Sequence, residues 1–306
     1  MLICEQYLTP ASLDEAFDAI EAHRGRNRIV AGATDTLPLA REGRAGDVEI
    51  PVLIDITRIP ELRERTVDDT RVRLGAATTI QRFLDDPAMK RALPCMPRCA
   101  MWFADDQIRE SATIGGNIVN ASPAADGTPP LIAHEAVVEL AARRNGKIVS
   151  RKMPLEKFVV GPAKTAIEPG EILVALECES LPGYGASFEK VGHRRSLVIA
   201  LVCLATLVKV DQSGRRFEDV RLAIAGIGPV PRRLGDVEKF LLAAPISAER
   251  LEQAAVMPVD LVQSRTRQAY RREVVRGFIV RALVNAALQA GAAPDSITPE
   301  LEASYA

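Results

Sequence analysis

Residues 111–130 read Ser-Ala-Thr-Ile-Gly-Gly-Asn-Ile-Val-Asn-Ala-Ser-Pro-Ala-Ala-Asp-Gly-Thr-Pro-Pro. Gly115 and Gly116 stand side by side between the hydroxyl of Thr113 and the carboxamide of Asn117, with Ile114 and Ile118 interleaved. Adjacent glycines let another group approach the backbone closely and permit positive φ. Thr113 and Asn117 add hydrogen-bonding side chains suited to a phosphate or a polyol chain. Beyond them Asp126 supplies an isolated carboxylate that can accept from sugar hydroxyls; a turn or helix cap is an equally good use for it.

A second glycine turn lies upstream, Val30-Ala31-Gly32-Ala33-Thr34-Asp35. Residues 28–31 read as a short buried strand, Gly32 turns the chain, and Thr34 or Asp35 can cap a helix running through Thr36, Leu37 and Leu39. The first N–H groups of such a helix lack intrahelical partners, and with the helix dipole they attract anions. Many ordinary strand-to-helix turns share this pattern, so the first loop is generic and the second carries more information.

Further out, Ser12-Leu13-Asp14-Glu15 is a capping box opening an amphipathic helix with Leu13, Ala16, Phe17 and Ile20 on one face. With a strand at 52–56 it closes a small α/β unit over residues 1–57. Residues 58–178 should hold a strand at 72–76, a helix begun by Thr79, helical sequence through Met101-Trp102-Phe103, a hairpin of 136–141 and 147–151 around Asn145-Gly146, and a strand at 172–176. Leu181-Pro182-Gly183-Tyr184-Gly185 marks a boundary. In the following unit, 179–290, antiparallel strands are expected at 186–190, 198–210 and 220–225, then helices at 235–243, 247–255 and 265–290, with a tail at 291–306.

Composition closes off several functions. At 306 residues two domains are expected. A net charge of −1 gives no field attracting nucleic acid or acidic lipid. The basic run 265–273 lies on a helix with an apolar stripe (Ala269, Val274, Phe278, Ile279, Leu283), which is a solvated bundle helix rather than a nucleic-acid surface. Five cysteines at irregular spacings include no CxxC pair, and the three histidines are scattered, so no zinc or cluster site is expected. No apolar run reaches the roughly 18 residues of a membrane span, and Met1–Pro10 lacks a secretory n-region. The expected location is cytoplasmic.

The run SATIGGNIVNASPAADGTPP resembles the signature of the FAD-binding medium subunit of molybdenum hydroxylases, the family of carbon monoxide, nicotine, caffeine and bacterial xanthine dehydrogenases. VAGATDTLP resembles that family's first FAD loop, and Phe188-Glu189-Lys190-Val191-Gly192-His193-Arg194-Arg195 resembles the opening of its C-terminal domain. The resemblance implies an α+β protein: a vanillyl-alcohol-oxidase-type (PCMH) FAD-binding domain of two α/β subdomains (1–57 and 58–178), then a three-stranded antiparallel sheet with a helical bundle.

For this chain the resemblance implies that Val30, Ala31, Gly32, Ala33, Thr34, Asp35, Thr36 and Leu37, with Thr113, Ile114, Gly115, Gly116 and Asn117, hold the pyrophosphate and ribityl region. Asp126 would bind hydroxyls of FAD, Phe103 would contact the cofactor, and Ile172 or Leu173 would touch the ring system. Lys190 would lie near the flavin, where a cation stabilises the anionic reduced ring, and residues 191–197 would flank the ring. Two departures matter. Ala33 stands where the family usually has a second glycine, and alanine fits only with negative φ or tolerated strain. The cysteine-rich insertion of one branch is missing, and neither loop has His or Cys, so FAD should be non-covalent and this chain's only redox centre. Molybdopterin and 2Fe–2S clusters would sit on a large and a small partner subunit, the whole forming a dimer of heterotrimers. A self-contained flavoenzyme, like the enolpyruvoyl reductase of cell-wall synthesis, is the competing reading; the Gly115-Gly116-Asn117…Asp126 pattern does not resemble it.

Overall fold

The computed structural model describes residues 2–41, 48–194, 196–264 and 266–297. Arg195, Arg265 and most of the expected tail lie outside them.

The N-terminal unit is built on three parallel strands, in the order Gln6–Leu8, Val52–Asp55, Asn27–Val30. Helix Leu13–Ala22 covers them with Ala16, Phe17 and Ile20, and its N-cap Ser12 accepts from the N–H of Glu15 as the capping box requires. The same apolar cluster takes in Ala141, Ile172 and Val174, which seats this small sheet on the next one. That sheet has five antiparallel strands in the order Arg65–Val67, Arg71–Gly75, Glu171–Glu179, Val137–Arg144, Lys147–Pro154. Asn145 and Gly146, with φ of 52° and 75°, turn the expected hairpin in the left-handed region a two-residue turn demands.

Short helices between residues 82 and 133 pack on the five-stranded sheet. Because that sheet is antiparallel throughout, the second unit is α+β rather than the α/β subdomain expected. Thr79 also departs from expectation. It forms a β-bridge to Thr113 instead of opening a helix, which starts at Arg82.

The last sheet is antiparallel: Gly185–Val191, Val202–Val210, Phe217–Ala225 and a fourth strand of two residues, Arg232–Arg233. Three strands were expected; so short a strand carries no periodic signal. The strand expected from 198 begins at Val202. Cys203, Ala205, Ala223 and Ala225 face the core of the preceding unit, while Leu204, Leu222 and Ile224 face helices Gly235–Leu242, Ala248–Val256 and Gln268–Gln289. Burial on both faces explains the apolar stretches at 202–205 and 222–225.

Candidate functional site

The first glycine turn leaves the parallel sheet where strand Asn27–Val30 ends. Ala33 then adopts φ 53°, and helix Thr36–Arg41 follows, with the N–H of Leu37 donating to the Ala33 carbonyl. Alanine therefore takes a left-handed conformation that favours glycine, at a cost of about 1 kcal/mol. Gly32 is required for another reason: a Cβ on it would lie 1.9 Å from the carbonyl oxygen of Ser111. The N–H groups of Gly32, Ala33 and Thr34 have no acceptor among the described residues.

The second loop is packed from beneath. Thr113 is the N-cap of helix Ile114–Val119, its hydroxyl accepting from the N–H of Gly116 at 3.0 Å. The N–H of Gly115 donates to the Ala76 carbonyl at 2.9 Å, and a Cβ on Gly115 would come within 2.6 Å of that oxygen. Neither glycine has positive φ; the sequence reading was right about close approach and wrong about the dihedral. The Thr113 hydroxyl accepts in the cap and keeps its O–H donor on the cleft side. Asn117 Oδ1 accepts from the N–H of Gly127 at 3.2 Å, so the carboxamide fixes the segment that follows Asp126. Asn120, which the sequence reading passed over, donates from Nδ2 to Asp35 Oδ2 at 3.0 Å and joins the two loops a second time.

Between the loops runs an open cleft of about 510 Å³. Val30 through Thr36 form one wall; Phe103, Thr113, Gly116 and Asn117 contribute to the other. A smaller apolar recess of about 100 Å³ adjoins it, reached by Gly115, Ile172 and Leu173. Leu37 and Ile114 lie outside both. Leu37 is exposed, and Ile114 is wholly buried as a core residue. Arg28 and Ala112, also unforeseen, line the cleft.

Asp126 and Lys190 line neither cavity. They meet each other: Lys190 Nζ donates to Asp126 Oδ2 at 2.6 Å and to the Trp102 carbonyl at 3.0 Å. Both side chains are nearly buried, at 3% and 11% exposure. Lys190 is thus no solvated strand-end lysine, and Asp126 is not isolated. Burial pushes the Asp126 carboxyl up to about 6, against the pull of the Lys190 ammonium. Asp126 Oδ1 is buried with no hydrogen-bond partner, and a donor from outside the chain would satisfy it. Beneath the pair, the Cys99 thiol donates to the Asp126 carbonyl. Cys95, Cys99 and Cys203 are buried, and desolvation raises all three thiols, which makes them unreactive. From the 191–197 segment, Ser196 donates to the Ala104 carbonyl at 3.2 Å, beside Phe103. Arg109 Nη1 braces the Phe103 carbonyl.

Residues 3–178 match the model of the FAD binding domain in molybdopterin dehydrogenase, and residues 187–286 match the CO dehydrogenase flavoprotein C-terminal domain. The chain belongs to the family of FAD-binding medium subunits of the molybdenum hydroxylases, the xanthine and carbon monoxide dehydrogenase family. It is 30% identical over 249 residues to the xanthine dehydrogenase FAD-binding subunit of Escherichia coli O157:H7, covering 80% of this chain and 82% of that one. To the carbon monoxide dehydrogenase medium chain of Hydrogenophaga pseudoflava it is 27% identical, over 92% and 96% of the two chains. A solved structure of carbon monoxide dehydrogenase from the same organism superposes with a TM-score of 0.86 at 25% identity, over 94% of this chain and 99% of that one. Such relatives are oxidoreductase subunits. The site fits FAD: unpaired N–H groups on one wall suit a diphosphate, and the orphaned Asp126 Oδ1 suits a hydroxyl or imide donor.

Proposed function

We propose that this chain is the electron-transfer subunit of a molybdenum-containing hydroxylase or dehydrogenase, linking 2Fe–2S clusters on a small partner subunit to a terminal acceptor by way of non-covalently bound FAD. The observation that carries the reading is the clasp of the two loops at Gly32 and Ser111, which leaves three unpaired backbone donors on a cleft wall. Bound FAD supplies the capacity to take electrons singly and release them in pairs.

The chain's own residues supply the setting. Gly32, Ala33 and Thr34 offer N–H groups to the diphosphate, and Phe103, Ile172 and Leu173 offer apolar surface; Asp126, outside both cavities, holds an acceptor oxygen with no partner in the chain. The Lys190 ammonium places a positive charge at Asp126 and so favours electron density nearby. Leu37 and Ile114 line neither cavity. Residues 1–178 would form the FAD-binding domain and 179–290 the C-terminal domain. The partners would be a large molybdopterin subunit and a small 2Fe–2S subunit, assembled as a cytoplasmic dimer of heterotrimers. No helix among the described residues is long and apolar enough to cross a membrane.

Purification of the native protein tests this. Two further subunits should copurify, with molybdenum and iron in proportion to flavin. A lone chain with full dehydrogenase activity and neither metal would overturn the proposal.

A further inference from the structure

The cleft between the two loops has an unusual charge inventory. Among the described residues lining it, only Arg28 and Asp35 are charged. Asp35 is engaged, accepting from Asn120 Nδ2 at 3.0 Å, and burial raises its pKa. Its backbone is tied into the parallel ladder with Val52–Asp55, but the Arg28 side chain makes no hydrogen bond or ion pair with any described residue, although nearby Arg26 pairs with Glu5. Strand geometry puts it there. In Asn27–Val30, Ile29 turns toward the apolar cluster, and the alternation sends Arg28 to the opposite side, exposed at the cleft edge.

Backbone N–H groups are neutral donors. An anion held by them alone would share the cleft with the Asp35 carboxylate and no opposing charge. Arginine suits the missing role: it stays protonated, and its planar fork matches two phosphate oxygens at once. We infer that Arg28 is the counter-charge for the diphosphate of the bound dinucleotide, and that it makes this subunit select a flavin carrying a diphosphate over uncharged riboflavin. The inference rests on the FAD reading above and adds to it a residue outside both glycine motifs.

Arg28 is exposed and packs no core, so its replacement leaves the fold intact. The test uses the full chain stripped of flavin, titrated with FAD and with ADP at several salt concentrations. Arg28→Gln should weaken both ligands roughly five- to tenfold, as expected for one partly screened charge-assisted contact, and should make their affinity less sensitive to salt. Arg28→Lys should recover much of the loss and most of the salt dependence. Wild-type affinity and salt dependence in Arg28→Gln would overturn the inference, as would equal losses in both variants with salt dependence unchanged. Failure of the wild-type chain to bind either FAD or ADP would instead sink the FAD reading.

Discussion

Gly32 lies against the carbonyl of Ser111, so that a Cβ would sit 1.9 Å from the oxygen. The two glycine loops, about eighty residues apart in sequence, are thereby interlocked, and no side-chain rotation can relieve the clash because the partner is backbone. Gly32→Ala should cost about 3 kcal/mol, the upper range for overpacking, and should lower flavin content together with the melting temperature. Gly116→Ala should be milder, since its nearest neighbour is the Thr113 hydroxyl at 2.9 Å. Equal melting temperatures and flavin content in Gly32→Ala and wild type would show that the loops do not clasp.

Ala33 should respond in the opposite sense. Its φ of 53° is strained for any residue with a Cβ, and glycine removes the strain at some cost in unfolded-chain entropy. Ala33→Gly should raise stability by a few tenths of a kcal/mol in urea denaturation, the strain of about 1 kcal/mol less an unfolded-chain entropy cost of roughly 0.5 kcal/mol. A loss of stability would mean that the turn does not hold Ala33 in the left-handed region.

Local signals were read well from sequence. The capping box at Ser12 and the Asn145-Gly146 hairpin each depend on neighbours a few residues away. What depended on distant contacts was hidden. Nothing in the run around Gly115 says that it abuts Ala76. Nothing near Asp126 announces that Lys190, 64 residues on, will pair with it. Arg28 and Asn120 escaped notice because each is an ordinary polar residue beside a motif, given meaning only when the loops meet.

The Asp126–Lys190 pair is separable by a double-mutant cycle. Lys190→Met leaves a nearly buried carboxylate without its counter-charge and should destabilise by about 3 kcal/mol or more. Combining it with Asp126→Asn should restore part of that loss, because no charge is then stranded. Strict additivity would show that the pair is not coupled. Asp126→Ala and Asn117→Ala should each lower flavin occupancy; full retention in both would remove them from the site.

His134 gives the pH-dependent prediction. It is fully buried, its Nδ1 lies 3.0 Å from the Glu179 carbonyl, and Nε2 has no partner. Burial pushes its pKa down to about 4, outweighing the bond to Glu179. The unfolded chain, with a histidine near 6.5, then binds more protons than the folded one between about pH 6.5 and 4. The stability this residue contributes is complete above that window and falls through it on acidification, by about 3 kcal/mol in all. Asp126 works the other way over nearly the same range: its raised pKa makes the folded state the stronger proton binder between about 4 and 6, so acidification strengthens it. In the wild-type acid limb these two contributions oppose each other. His134→Asn keeps a donor for the Glu179 carbonyl and removes the titration. Urea midpoints taken from about pH 7 down to about pH 4.5 should therefore fall less in the variant than in the wild type, whatever the offset between them at neutral pH. Parallel curves would show that His134 does not remain neutral in the folded state.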